Sequence, residues 1–338
     1  MIPARRNRPP GRIPLLLMLT AFLALPGCGS GGFDLAGGGT GGTGVSTGTI
    51  SGFGSVVVNG VHFRTDGDVS PRFVTKKIYN GKDNSSKKDR ELFQVGMVVT
   101  VLHAPDDNNA VEIEYRDNLQ GVIAAKVSGT ENLLEVLGQT VVVDNAALFA
   151  AFKRNDIVEV SGFVDNAGRI RAGGILPLSP SAREFEVKGF VSGLSLPGGA
   201  FRLGPLPDGS GATVTVSYGP ASVSGLPGGP ADGMYVEVVT TDREPVGGVI
   251  TAIRIVKLAA RTEFPDRAPV DLEGLVTTPW SGSGNDLSLA VEGKRVQWDA
   301  GTEFDGGTRN DTQQANRRVQ VRGTETGGVL AAARIVFR

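Results

Sequence analysis

Apolar and polar residues alternate along most of the chain in short runs, and Gly, Asn, Asp and Pro punctuate them. Alternation with a period of two is the mark of a strand with one buried face. No stretch keeps a helical period beyond about two or three turns, so a helical bundle is excluded. The stretch Ser51–Asp66, "SGFGSVVVNGVHFRTD", sets the pattern. Asn59-Gly60 between valine runs predicts a β-hairpin, because a type I′ turn needs positive φ at both central residues. A dinucleotide-binding loop would need a third glycine and a following helix. Here Gly52 and Gly54 lead only into more strand.

The same elements recur. Val58-Asn59-Gly60-Val61-His62-Phe63, Val136 to Val141 and Val291 to Val296 all read Val-x-Gly-x-x-(Phe/Val), which places Gly138 and Gly293 at turns like that of Gly60. A strand beginning Gly-x-(Ile/Val) opens each unit at Gly48, Gly121, Gly189 and Gly274. A valine-alternating strand follows later (Met97–Val101, Ile157–Val160, Tyr235–Val238, Val319–Val321), and Ala-x-x-Ile closes each unit at Ala110, Ala172, Ala252 and Ala332. Recurrence at this spacing indicates tandem structural repeats. The third copy departs in the middle, where a Pro/Gly-rich insertion replaces the short turn.

Weakly helical segments lie between the third and fourth strands: "SSKKDRELFQVG", "NDTQQANRRV" and "DNAALFAAFKRND", the last with Asn145 as N-cap. Three strands, a short helix and two strands is the order of an OB-like barrel. The predicted fold is therefore all-β: tandem small OB-like five-stranded β-barrels over 48–116, 117–178, 184–260 and 269–338. Units of roughly 60 to 80 residues are marginal alone, so neighbours are expected to pack together. Solenoid stacking is the competing arrangement, with repeats that are usually shorter and more regular.

The N-terminus changes the picture. Arg5, Arg6, Arg8 and Arg12 precede a short apolar core, Leu15–Leu25. Spanning a bilayer takes roughly 20 apolar residues, so 1–27 reads as a signal peptide. Leu25-Pro26-Gly27-Cys28 resembles the lipobox of bacterial lipoproteins, although Pro26 departs from the usual small residue. The resemblance implies a diacylglycerol on the Cys28 thiol and cleavage before it. Cys28 is the only cysteine, so no internal disulfide can form. Burial of acyl chains at about 0.8 kcal/mol per CH2 makes multi-chain anchoring stable. Gly29 after the cysteine implies, in a Gram-negative cell, export to the outer membrane. Residues 28–47, nearly all Gly, Ser and Thr beyond the cysteine, read as a flexible tether.

With the lipobox, the Gly-rich tether and units carrying "GFGSVVVNGVHF", "VGMVVTV" and "AVEIEY", the chain resembles bacterial lipoproteins with repeats of DUF5666, a domain of unknown function. That resemblance implies a β-rich architecture and an envelope location, and brings no activity or catalytic residues with it.

Composition narrows the chemistry. There are 49 glycines, and only 6% of residues are aromatic. Loss of residues 1–27 removes four arginines and no acid, taking the formal charge from −1 to −5. An acidic, aromatic-poor chain is a poor nucleic-acid binder. Only His62 and His103 are present, so a His-dependent triad or a multi-histidine zinc site has no material. The loops Thr65–Asp68 and Pro105–Asn109 are oxygen-rich and could hold calcium, yet neither follows a recognised ligand spacing. Trp280, Trp298, Tyr115 and Tyr235 are available for sugar stacking, though burial is the commoner fate of such rings.

The expectation is a non-enzymatic, lipid-anchored envelope protein with no catalytic or metal residues and no cofactor beyond the acyl lipid. Its repeats would serve as spacer or binding surface for a protein or glycan. The alternative is a carboxylate-dependent envelope hydrolase with a site between units and its acids near residues 202–232.

Overall fold

The computed structural model describes residues 44–65, 74–104, 107–195, 198–223, 226, 228–281 and 287–338, and these described residues form one compact body. Cys28 and the lipobox residues Leu25, Pro26 and Gly27 lie outside the described residues, as do Asp66–Asp68, Pro105 and Asp106.

The chain is all-β, in four repeats. Repeat 1 holds β1 (Gly44–Gly52), β2 (Val56–Val58), β3 (Val61–Phe63), β4 (Lys76–Tyr79), β5 (Lys82–Asp83), the single-turn α1 (Asp89–Leu92), β6 (Val98–His103) and β7 (Ala110–Tyr115). Repeat 2 holds β8 (Leu119–Val127), β9 (Leu133–Val136), β10 (Gln139–Val142), α2 (Ala146–Ala151), β11 (Ile157–Val164) and β12 (Ile170–Pro177). Repeat 3 holds β13 (Phe185–Ser195), β14 (Ala200–Gly204), β15 (Val214–Ser217), a 3-10 turn (Pro220–Val223), β16 (Tyr235–Thr240) and β17 (Val249–Lys257). Repeat 4 holds β18 (Pro269–Thr278), β19 (Ser288–Val291), β20 (Lys294–Gln297), β21 (Glu303–Asp305), a 3-10 turn (Arg309–Gln313), β22 (Arg318–Thr326) and β23 (Val329–Phe337).

Local chemistry accounts for these elements. Asn145 caps α2 by accepting the Leu148 amide at 3.0 Å, and Phe149 and Phe152 are buried beneath it. The turn pairs Asn59/Gly60, Leu137/Gly138 and Glu292/Gly293 all have positive φ (57/79°, 50/75° and 51/74°), as a two-residue hairpin requires. Each closing hairpin (β6–β7, β11–β12, β16–β17 and β22–β23) carries a register shift, at Leu102/His103, Ser161/Gly162, Val239/Thr240 and Arg322/Gly323.

Within repeat 2, β8 pairs with β9, β9 with β10, β10 in parallel with β12, β12 with β11, and β11 again with β8. Repeats 3 and 4 return to their first strand in the same way. In repeat 1 the link between the hairpin and the closing strand is the Arg64–Asn109 bridge.

The repeats are not separate barrels, and that part of the expectation is corrected. Each first strand changes partner along its length. Its second half pairs with the hairpin of its own repeat, while its first half takes the first strand of another repeat. β1 thus runs parallel to β18 through Val45–Thr47, and β8 runs antiparallel to β13 through Leu119 and Gln120. Hydrogen bonding continues across repeats, as in a β-solenoid, in one sheet of 13 strands and one of 10. The physical reason is that a small repeat with one open half-strand gains by pairing it. The tether reading of 28–47 is also corrected at its end. Gly44–Thr47 has no strand signal of its own, yet it pairs with β6 on one side and β18 on the other.

The opening glycines sit where the partner changes. A Cβ on Gly121 would meet Val136 at 2.8 Å, and one on Gly189 would meet the backbone oxygen of Gly204 at 2.7 Å. Gly189→Ala is therefore expected to cost about 1–3 kcal/mol, because a backbone oxygen cannot step aside. Gly219, with nothing within 4 Å of its Cβ position, serves as the neutral control. Urea unfolding of both alanine variants checks this.

One apolar core fills repeats 2 and 3 together, and repeats 4 and 1 have their own. Val98, Phe163 and Leu275 form a small cluster where repeats 1, 2 and 4 meet.

Candidate functional site

In the valine-alternating strand of each repeat (β6, β11, β16 and β22) the valines face the core, so the residue between them, Thr100, Glu159, Glu237 or Gln320, faces outward. In each first strand the residue before the opening glycine also faces outward: Thr47, Gln120, Lys188 and Glu273. On an isolated repeat all of these would meet water. Pairing of first strands between repeats encloses them, and two polar junctions result.

The larger junction joins repeats 1, 2 and 3. Glu159, only 2% exposed, accepts Tyr79 Oη at 2.5 Å and Tyr115 Oη at 2.9 Å on one oxygen. Its other oxygen accepts Gln120 Nε2 at 2.9 Å and Asn80 Nδ2 at 3.1 Å. The same two amides donate to Asp117 Oδ2, at 2.6 and 2.8 Å. Lys188 Nζ lies 2.5 Å from Asp117 Oδ1, 3.4 Å from Glu237 and 3.5 Å from Glu186.

Burial pushes the Glu159 carboxyl up, with Asp117 adding to the effect. Burial also drives Glu186 up to about 8, again with Asp117, against the pull of Lys188. Tyr79 and Tyr115 are raised by burial and by Glu159. For Lys188, burial favours the neutral amine, but Asp117, Glu186 and Glu237 outweigh it and leave the group above the ordinary lysine value.

The second junction joins repeats 1 and 4. Asp271 accepts Asn59 Nδ2 at 3.1 Å, Gln320 Nε2 at 2.7 Å and Arg322 Nε at 3.1 Å. Glu273 accepts Arg318 Nε at 3.0 Å and the Thr49 amide at 2.9 Å. Burial raises Asp271 in spite of Arg322. Nearby, the Glu292 carboxylate accepts the amides of Val164 and Leu275 at 3.0 Å each, joining repeat 4 to repeat 2, and burial pushes it up to about 7.

The turn residues named from sequence reach across these junctions. Asn59 bonds to repeat 4, while Gly138 and Gly293 lie beside Pro245 and Pro207 of repeat 3. His62 is exposed and bonds to Ser55 Oγ at 3.1 Å. Trp280 and Trp298 are buried edge-to-face, with centroids 5.1 Å apart, and Tyr115 is fully buried, so these rings are not surface platforms. Of the acids at 202–232, Asp208 caps a turn by accepting the Ser210 amide, and Asp232 accepts the amide of Leu194 in β13. Asp107 likewise accepts the Asn109 amide at 2.8 Å. Among the described residues no group of three or more His, Cys, Asp or Glu could hold a metal ion, and no helix is long and apolar enough to cross a membrane.

The buried carboxylates were missed in the sequence, where no acidic pair stands in a context suggesting burial. The available signal was Glu between valines in Val-Glu-Val at 158–160 and 236–238. Two open clefts flank the segment between repeats 3 and 4. One of about 430 Å³ is lined by Phe264, Arg267, Lys294 and Glu325, and one of about 210 Å³ by Leu102, Arg116 and Arg261.

Residues 120–175 and 273–336 match the sequence model of a domain of unknown function, DUF5666. The two matches are consistent with tandem repeats of that domain. The matched segments begin one residue before the opening glycines Gly121 and Gly274 and end in β12 and β23, so a DUF5666 domain here is one strand cycle. No curated protein matches the chain.

Proposed function

We propose that this DUF5666 protein is a non-enzymatic, lipid-anchored component of the bacterial cell envelope. Its repeats form a rigid spacer or binding surface for an envelope protein or glycan. Each ring of strand pairing follows the order of an OB-like five-stranded barrel, and we read the repeats as such barrels fused through their first strands. The observation that carries the proposal is the destination of the recurring polar residues. Glu159 accepts Tyr79, Asn80 and Tyr115 of repeat 1, and Asp271 accepts Asn59 of repeat 1, which makes these acids mortar between repeats. The lipid anchor rests on the run Leu25-Pro26-Gly27-Cys28 after a basic and apolar leader, and an outer-membrane address rests on Gly29.

The test has two parts. In cells fed labelled palmitate, the chain is expected to take up label and fractionate with membranes, and Cys28→Ala to abolish both. The chain from Thr40 onward, which keeps β1 whole, is then screened by thermal shift against envelope glycans and divalent ions, with single-stranded DNA as the expected negative. A bound ligand raises the melting temperature by linkage. Absence of label, or turnover of an envelope substrate, overturns the proposal.

One observation favours the hydrolase reading: Glu186 is raised to about 8, in the range a general acid needs. Its neighbours are committed to structural bonds, so that reading predicts a Glu186→Gln chain that folds but loses turnover.

A further inference from the structure

Lys188 and Asp117 differ from the other buried lysine–carboxylate pairs. Their side chains are 1% and 0% exposed, and Nζ lies 2.5 Å from Oδ1. The second carboxylate oxygen is held by two amide donors, Gln120 Nε2 and Asn80 Nδ2. Two further carboxyls, Glu186 and Glu237, stand 3.5 and 3.4 Å from the same nitrogen. Lys294 and Glu325 also meet, at 2.7 Å, but the second oxygen of Glu325 has no hydrogen-bond partner. Lys77 and Asp89 are 3.1 Å apart, and Asp89 is 17% exposed.

We propose that Lys188 and Asp117 join in an intramolecular isopeptide bond, a secondary amide between Nζ and Cγ, formed in the folded chain. Contact of Nζ with Oδ1 holds the nitrogen against Cγ in a near-attack arrangement, which requires reacting atoms about 3–3.5 Å apart. Burial opposes separated charges, while the three carboxyls hold Lys188 as the ammonium, so proton transfer to Oδ1 is the uphill step and the geometry of contact carries the proposal.

The steps balance. A proton passes from the ammonium to Oδ1, leaving a neutral amine and a neutral carboxylic acid. The nitrogen lone pair attacks Cγ, and the C–Oδ2 π pair moves onto Oδ2, where the Asn80 and Gln120 amides stabilise it as an oxyanion hole does. Glu186 or Glu237 takes a second proton from Nζ and delivers it to the Oδ1 hydroxyl. The Cγ–Oδ1 bond then breaks as the carbonyl re-forms, and Oδ1 leaves as water. One ammonium and one carboxylate become one amide and one water, and the nitrogen keeps one proton. The raised Glu186 carboxyl suits the relay, because it can hold a proton near neutrality.

The bond would close a loop between residues 71 positions apart. All of repeat 2, β8 to β12, lies inside that loop. Tension along the chain would then pass from Asp117 to Lys188 and leave repeat 2 unloaded. The chemistry does not depend on the lipid-anchor reading.

The test is a tryptic map of the purified full-length chain. Cleavage after Arg116, Lys126, Arg183 and Arg202 isolates 117–126 and 184–202. The expected product is a branched species of these two peptides, lighter than their sum by one water and uncleaved after Lys188. Fragmentation would place the bond at Asp117. Lys188→Arg should release 117–126 as a linear peptide, and Lys294→Met should leave the branched species intact. The Glu186→Gln/Glu237→Gln double variant, folded by circular dichroism, should accumulate unbonded chain. Wild-type chain that yields both linear peptides, with cleavage after Lys188, overturns the proposal and leaves an ion pair only.

Discussion

Glu159→Leu is expected to lower stability by about 3–5 kcal/mol, the range for removing one member of a buried charged network. Its carboxylate is the shared acceptor for Tyr79, Tyr115, Asn80 and Gln120. Leucine fills the space but accepts nothing, and each stranded buried donor costs about 1–3 kcal/mol. Asn80 and Gln120 keep Asp117 as an alternative acceptor, so the tyrosine hydroxyls bear most of the loss. Tyr115→Phe alone should cost about 1 kcal/mol, the net worth of one hydrogen bond. The triple variant Glu159→Leu/Tyr79→Phe/Tyr115→Phe should recover part of the loss, since an apolar replacement of a whole network is often neutral. Urea midpoints at unchanged m-value measure this. Equal costs for Glu159→Leu and an exposed Glu244→Leu control would show that the junction is not a stabilising network.

Stability is expected to be higher at about pH 5.5 than at about pH 8.5, by the order of a few kcal/mol. Glu186, at about 8 in the folded chain against an ordinary 4.5, binds its proton more tightly folded than unfolded. Such a group contributes stability that is fully present below the unfolded value and is lost as pH rises through the folded one. The window for Glu186 is therefore 4.5 to about 8, and for Glu292 it is 4.5 to about 7. Glu159 and Asp271 shift in the same direction. Opposed to them, Glu131 is lowered by Arg169, and Asp208 by its bonds to Ser210, so their contribution fades only under acid conditions below the ordinary carboxylate range. Melting temperatures across this range should slope downward in the wild type and flatten in Glu186→Gln and Glu292→Gln. A flat or rising wild-type profile would contradict the buried, protonated assignment. Conversion of Lys188 and Asp117 to an amide removes both the cation that lowers Glu186 and the anion that raises it, and the sign is kept by burial, the largest cause.

Much of the architecture was legible where physics is local. The Asn59-Gly60, Gly138 and Gly293 turns follow from positive φ, and the α2 start follows from the Asn145 cap. Alternating valines announced β6, β11, β16 and β22, and Ala-x-x-Ile announced the closing strand of every repeat. The junctions were not legible. Glu159 looks like any solvent-facing residue of an amphipathic strand, and Tyr79, 80 residues away, shows nothing in sequence of its aim at Glu159. The Trp pair read equally well as sugar platform or core, and only packing placed it inside.

From sequence alone came the repeated strand cycle, the hairpin tips, the poverty of histidine and the single cysteine, since dihedral preference, alternation and composition are properties of short windows. Tertiary structure alone decided which repeats share strands, that Gly44–Thr47 becomes a strand, and that outward-facing acids meet a lysine in a dry junction. Those outcomes depend on pairings such as Thr49 with Arg318, 269 residues apart. Desolvation exists only once the second surface has arrived.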